Sequence, residues 1–137
     1  MKEKTVKINY TTKQKITSQA FIDILNRSTL GERRPVEDEK CIQGMLDYAD
    51  ILVLAMDGEK IVGVARAISD FNYACYLSDL AVDVAYQKMG IGEELIKKVQ
   101  EQLEEGCKII LLSAPAAVEY YPKVGFTQHP SAWILAP

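Results

Sequence analysis

The stretch Gln87-Lys88-Met89-Gly90-Ile91-Gly92 lies between an apolar segment containing Leu80-Ala81-Val82 and an amphipathic one, and its reading decides the fold. Where a strand turns directly into a helix, the first helical N–H groups lack partners and converge where an anion can sit. Without a Cβ at 90 and 92 the chain can turn with positive φ and let phosphate oxygens reach the amides, aided by the helix dipole. Lys88 adds a charge at the rim. The stretch is not a P-loop, which needs Gly-Lys-Ser/Thr, nor a dinucleotide fingerprint, whose third glycine would stand where Leu95 does. Taken alone, it also fits a plain glycine turn at a helix start.

Downstream, Ile91, Leu95, Ile96, Val99 and Leu103 line one helical face, with Glu93-Lys97 and Glu94-Lys98 pairs outside and Gly106 as the stop. Lys108 to Leu112 reads as a short buried strand, Ala116 to Tyr121 as a short helix, and Phe126 to Leu135 as one or two closing strands. Upstream, Ile51 to Met56, the turn at Asp57-Gly58, and Ile61 to Ile68 predict an antiparallel hairpin. Tyr73 to Val84 adds a third strand after the turn-forming Ser69-Asp70-Phe71-Asn72. Nearer the start, Thr5 to Tyr10 alternates like a half-buried strand. Two helices follow, one from Thr17 or Ser18 to Arg27, the other entered at Glu37-Asp38-Glu39 and kept apolar on one face to Ala49. The order β, α, α, βββ, α, β, α, β is that of a mixed α/β domain, and nothing divides residues 1–137 into more than one.

The 137 residues are 48% hydrophobic, enough for a continuous core. A net charge of -3 supplies no general attraction for polyanions, so neither nucleic acid nor a membrane surface is expected as a partner. Cys41, Cys75 and Cys107 are odd in number and stand in no metal-ligand or redox spacing, so they read as small hydrophobes in a reducing compartment. Met1 to Lys7 lacks the apolar core of a signal peptide, and no apolar run reaches a membrane span, which makes the cytoplasm the expected location.

Together, Leu80-Ala81-Val82, Tyr86-Gln87-Lys88-Met89-Gly90-Ile91-Gly92 and Leu95 resemble the acetyl-CoA-binding core of the GNAT N-acetyltransferases, with its Gln/Arg-X-X-Gly-X-Gly/Ala pattern. Tyr120-Tyr121-Pro122-Lys123-Val124-Gly125-Phe126 is similar to that family's Phe-Tyr-X-Lys-X-Gly-Phe segment. These motifs span residues 77 to 126, and the element order extends the likeness over nearly the whole chain. The resemblance implies a mostly antiparallel mixed sheet flanked by about four helices, and acetyl-CoA as cosubstrate. It implies transfer of the acetyl group to a primary amine of a small molecule, by direct attack in a ternary complex. A non-catalytic acyl-CoA sensor and a protein or peptide N-acetyltransferase are the alternatives.

By the same resemblance, the amides of Met89, Gly90, Ile91, Gly92 and Glu93 bind pyrophosphate, within a loop that includes Gln87 and Lys88. The backbone of Leu80 and Val82 pairs with the pantetheine arm, and a bulge aims an amide near Leu80 or Ala81 at the thioester oxygen. Tyr121 aligns with the general-acid tyrosine, with Tyr120 as its competitor. Asp79 is the candidate general base and Glu119 a weaker one; a strand-end carboxylate is also commonly just solvated. Arg66 is unusual among Val62, Val64 and Ile68 and needs a partner, for which Asp70 is in reach, as a structural pair or as part of the acceptor site. Arg33 and Arg34 lie where the family shapes its acceptor pocket, and Arg33 with Arg66 would favour an acceptor carrying carboxylate or phosphate. His129 reads as a surface residue, no metal site is expected, and Trp133 and Ile134 suit either a core or a homodimer contact.

Overall fold

The computed structural model describes residues 6–137, so the expected strand start at Thr5 and most of the leader reading lie outside the described residues. Five strands form one sheet in sequential order: β1 (Asn9–Thr11), β2 (Ile51–Asp57), β3 (Lys60–Ser69), β4 (Ala74–Val82) and β5 (Lys108–Ile110). All neighbours are antiparallel except β4 and β5, which run parallel. Four helices accompany them, α1 (Ser18–Arg27), α2 (Glu39–Asp47), α3 (Ile91–Gln100) and α4 (Tyr120–Lys123). This is the mixed, mostly antiparallel α/β architecture expected from the sequence.

Helix boundaries follow local chemistry. The Thr17 hydroxyl accepts from the Ala20 amide at 3.1 Å and starts α1, while the Asp38 carboxylate accepts from the Cys41 amide at 3.1 Å and starts α2. Phe21, Ile24 and Leu25 of α1 are fully buried with Ile42 of α2 against Leu54, Val64 and Ala81. Burying each such side chain stabilises the fold by about 1.5–3 kcal/mol. The opposite face of the sheet carries α3, whose Ile91, Leu95, Ile96 and Val99 pack on Val53, Ala65, Ala67 and Leu77. On its outer face Glu94 and Lys98 pair at 3.9 Å. The helix stops at Gln100, short of the Gly106 stop expected from the sequence, and a turn leads into β5.

Two bulges decide which residues share a face. In the β2–β3 pairing Ala55 faces Gly63 but Met56 faces Ile61, so Val62 is the extra residue and joins the α3 side. Val62 therefore does not share a face with Val64, as the simple alternation implied. In the β3–β4 pairing Arg66 faces Asp79 but Ala67 faces Leu77, leaving Ser78 extra. Before this bulge Cys75 and Leu77 point to α3; after it Leu80 and Val82 do, and Ala81 turns to the α1 and α2 side.

The closing strands expected from Phe126 to Leu135 do not form. Pro130 cannot donate to a ladder and sits in a turn where the Ser131 amide donates to His129 Nδ1 at 3.2 Å. Beyond it Trp133 and Leu135 are 93% and 99% exposed.

Candidate active site

The end of β4 is pinned from several sides before the chain enters α3. The Asp83 amide donates to the Val62 carbonyl at 2.8 Å, and Arg27 of α1 reaches the Asp83 carboxylate at 2.6 Å. Burial would raise the Asp83 pKa, but the Ala85 amide and the Arg27 guanidinium outweigh it and hold the carboxyl below its ordinary value. The Tyr86 hydroxyl donates to Asp57 at 2.6 Å, and Gln87 Nε2 donates back to the Val82 carbonyl at 3.3 Å.

Between these anchors and α3 the backbone is unusual. Lys88 has φ of 66° and Gly90, the residue before α3, has φ of 78°. A non-glycine in the left-handed region costs about 1–3 kcal/mol and persists where the surroundings impose it. No side chain caps α3, and its first internal bond is the Glu94 amide to the Gly90 carbonyl at 3.1 Å. The amides of Gly90, Ile91, Gly92 and Glu93 are thus left to an external acceptor, in the concave arrangement that binds anions. A Cβ at Gly92 would stand 2.6 Å from the Tyr120 hydroxyl. A side chain at residue 92 would therefore have to displace the Tyr120 hydroxyl beside this cradle.

The pairing of β4 with β5 ends at Tyr76 and Ile110, so from Leu77 onward β4 parts from β5. At this parting sits the Ser78 bulge, and around it a charged cluster. Asp79 is 0% exposed; Arg34 Nε donates to its Oδ1 at 2.5 Å and Arg66 Nε donates to its Oδ2. Arg34 Nη2 also donates to the Ser78 carbonyl at 2.7 Å and Nη1 to the Arg33 carbonyl at 2.9 Å. Arg66 completes its bonds on the Ser78 hydroxyl at 2.8 Å and the Met45 carbonyl at 3.3 Å.

This geometry corrects three expectations. Asp79 offers no open oxygen to a substrate amine, which a general base needs. Arg66 pairs with Asp79, not with Asp70, whose exposed carboxylate instead accepts the amides of Asn72, Tyr73 and Ala74 at 2.8–3.1 Å and closes the β3–β4 turn. Arg33 is exposed, while Arg34 reaches the cluster.

The two tyrosines of α4 part company. Tyr120 packs into the α3-side core with its hydroxyl over Gly92. Tyr121 is half-buried, edge-on to Tyr120 and Phe126 with ring centres 5.3 and 5.4 Å away. Burial pushes its phenol up, Tyr120 adds to that, and the Arg34 guanidinium draws it partly back. Tyr121 therefore carries its proton at neutral pH. The structure brings Arg34, Arg66, Ser78 and Asp79 together, with Tyr121 in the field of Arg34, and leaves Arg33 and Asp70 outside.

A glycine-opened helix start after a strand that parts from its neighbour is what the resemblance to the acetyltransferases implied. The model of the acetyltransferase (GNAT) domain matches residues 12–133, and the chain belongs to that family. It is 30% identical over 122 residues to a protein named GCN5-related N-acetyltransferase 1, chloroplastic, of Arabidopsis thaliana, covering 85% of this chain and 61% of that one. The chain thus spans less than two thirds of the length of the first curated relatives it matches. Among solved structures, a GNAT-family acetyltransferase of Streptococcus pneumoniae shares the fold with a TM-score of 0.76 at 22% identity, covering 96% of this chain and all of that one. An aminoglycoside N-acetyltransferase in complex with CoA does so with a TM-score of 0.74 at 16% identity, covering 100% and 99%.

Proposed function

We propose that the chain, as one domain, transfers the acetyl group of acetyl-CoA to the primary amine of a small molecule by direct attack in a ternary complex. The observation that carries this reading is the uncapped start of α3, with the amides of Gly90 to Glu93 left free, in the chain that follows a β4 unpaired with β5 from Leu77 onward. Acetyl-CoA supplies the acetyl group as a thioester. The amides from Met89 to Glu93, with Gln87 and Lys88 shaping their loop, hold the pyrophosphate, and the backbone of Leu80 and Val82 lies along the pantetheine arm. An amide at Leu80 or Ala81, just past the bulge, faces the carbonyl oxygen as it gains charge, a donor worth about 3 kcal/mol. As the C–N bond forms and the C–S bond breaks, Tyr121 gives its proton to the departing sulfur and water takes the amine's proton.

Gly92→Val tests the cradle. A side chain there meets Tyr120 and obstructs the amides, so CoA affinity by calorimetry falls about 10- to 100-fold, the loss of one or two charge-assisted bonds. Unchanged affinity in a folded variant would remove the cradle from the site.

The reaction is tested by thiol release from acetyl-CoA over a broad panel of small amines and lysine-containing peptides. Release with small amines is expected. Release with peptides alone would replace the acceptor, and CoA binding without release to any amine would make the chain a sensor. No helix among the described residues is long and apolar enough to cross a membrane. The three free thiols support a reducing compartment, and we assign the cytoplasm. The exposed Trp133, Ile134 and Leu135 support a homodimer.

A further inference from the structure

The cluster at the β4 bulge contains two guanidinium groups and one carboxylate, so one positive charge is left unneutralised. Asp79 is sealed and the Arg66 side chain is 6% exposed, whereas that of Arg34 is 21% exposed, so the surplus charge reaches solvent at Arg34. Arg34 also mends the bulge: it takes the Ser78 carbonyl and the Asp79 carboxylate with one planar group. It stands at the end of a 3-10 turn, Leu30–Arg33, entered through Thr29 with φ of 74°, and its bonds tie this connection between α1 and α2 to β4.

We propose that Arg34 is the specificity-determining residue of the acceptor side: it holds the 30–36 connection against the bulge and presents the cluster's surplus charge to amines that carry a phosphate or carboxylate. This rests on the acetyltransferase reading of the site and names its substrate class. Three of Arg34's five N–H groups are spent on Asp79, Ser78 and Arg33, which leaves two for a ligand oxygen. Arg66 has the same number of N–H groups engaged, on Asp79, Ser78 and Met45, but its side chain is 6% exposed and faces no ligand, so it takes no such part.

The test compares matched acceptors, 2-aminoethyl phosphate with 2-aminoethanol and 4-aminobutanoate with 1,4-diaminobutane, in the wild type, Arg34→Gln and Arg34→Lys. The anionic member of each pair is preferred by the wild type, and Arg34→Gln raises its KM about tenfold, the loss of one charge-assisted bond, with the acetyl-CoA KM unmoved. Arg34→Lys recovers part of the preference by its charge. It cannot bridge Ser78 and Asp79, so hydrogen exchange of amides 30–36 speeds up in both variants. Preference for 1,4-diaminobutane in the wild type, a preference that survives Arg34→Gln, or unchanged exchange at 30–36 would each overturn the proposal. Calorimetric titration of the CoA complex with 2-aminoethyl phosphate separates the two readings: binding lost in Arg34→Gln upholds the site even where no transfer occurs. Absent or unaltered binding ends it even where other amines are acetylated.

Discussion

Replacing Tyr121 by phenylalanine lowers kcat by about 100- to 10,000-fold, the range for loss of a positioned general acid, and leaves the acetyl-CoA KM within about twofold. The phenyl ring preserves the edge-on contacts with Tyr120 and Phe126, so the fold and the cradle at Gly90 to Glu93 persist and only the proton donor is lost. The direction of the pKa shift fits this role. A phenol raised by burial stays protonated through neutral and mildly alkaline pH, so the wild-type rate declines only as the pH rises through that raised value. The charges that bear on it are Tyr120 from the same helix and Arg34 from the α1–α2 connection. The variant, with no proton to lose there, shows no such alkaline decline. Tyr120→Phe is the control: its hydroxyl lies over Gly92, so its removal alters CoA affinity more than kcat. A kcat that falls for Tyr120→Phe and stands for Tyr121→Phe would exchange the two roles.

What was legible in the sequence was what local chemistry decides. Thr17 caps α1, a glycine-opened start precedes the apolar stripe of α3, and two apolar runs are joined by a tight turn, at Gly58-Glu59 and so one residue beyond the expected Asp57-Gly58, all within a few residues of what they specify. The cradle at Gly90 to Glu93 belongs to the same kind, since both its glycines and its helix are contiguous. The charged cluster does not. Arg34 and Asp79 lie 45 residues apart, and what brings them together is a bulge at Ser78 that a two-residue period cannot show. Its signal was present only indirectly: an arginine and an aspartate, each within an otherwise apolar strand, demand buried partners. Asp70 was the acid nearest Arg66 in sequence, but turn geometry had already committed it to three backbone amides. The closing strands failed for the opposite reason, because apolar residues at 133–135 outweighed the break imposed by Pro130.

Asp79→Asn should lower stability by about 3–5 kcal/mol, the cost of leaving buried charge without its partner. The amide keeps the shape of the carboxylate but carries no charge, so two guanidinium groups would then face each other across Ser78 with nothing between them. Arg66 has no route to water, being 5% exposed, and Arg34 is the one that can swing out. The structure therefore predicts release of the 30–36 connection before global unfolding, seen as faster hydrogen exchange there while α3 and the β2–β3 hairpin stay protected. It also predicts that the pair couples. Once Asp79 is asparagine, removing the charge at 34 costs far less than it does in the wild type, and a double-mutant cycle of Asp79→Asn with Arg34→Gln by urea unfolding measures the difference. A catalytic base at 79 gives another pattern: Asp79→Asn would then melt near the wild-type temperature and lose the acidic limb of its rate profile. That outcome would return Asp79 to the chemistry, whereas a large loss of stability with a coupling of about 1 kcal/mol or more places it in the framework that aims Arg34.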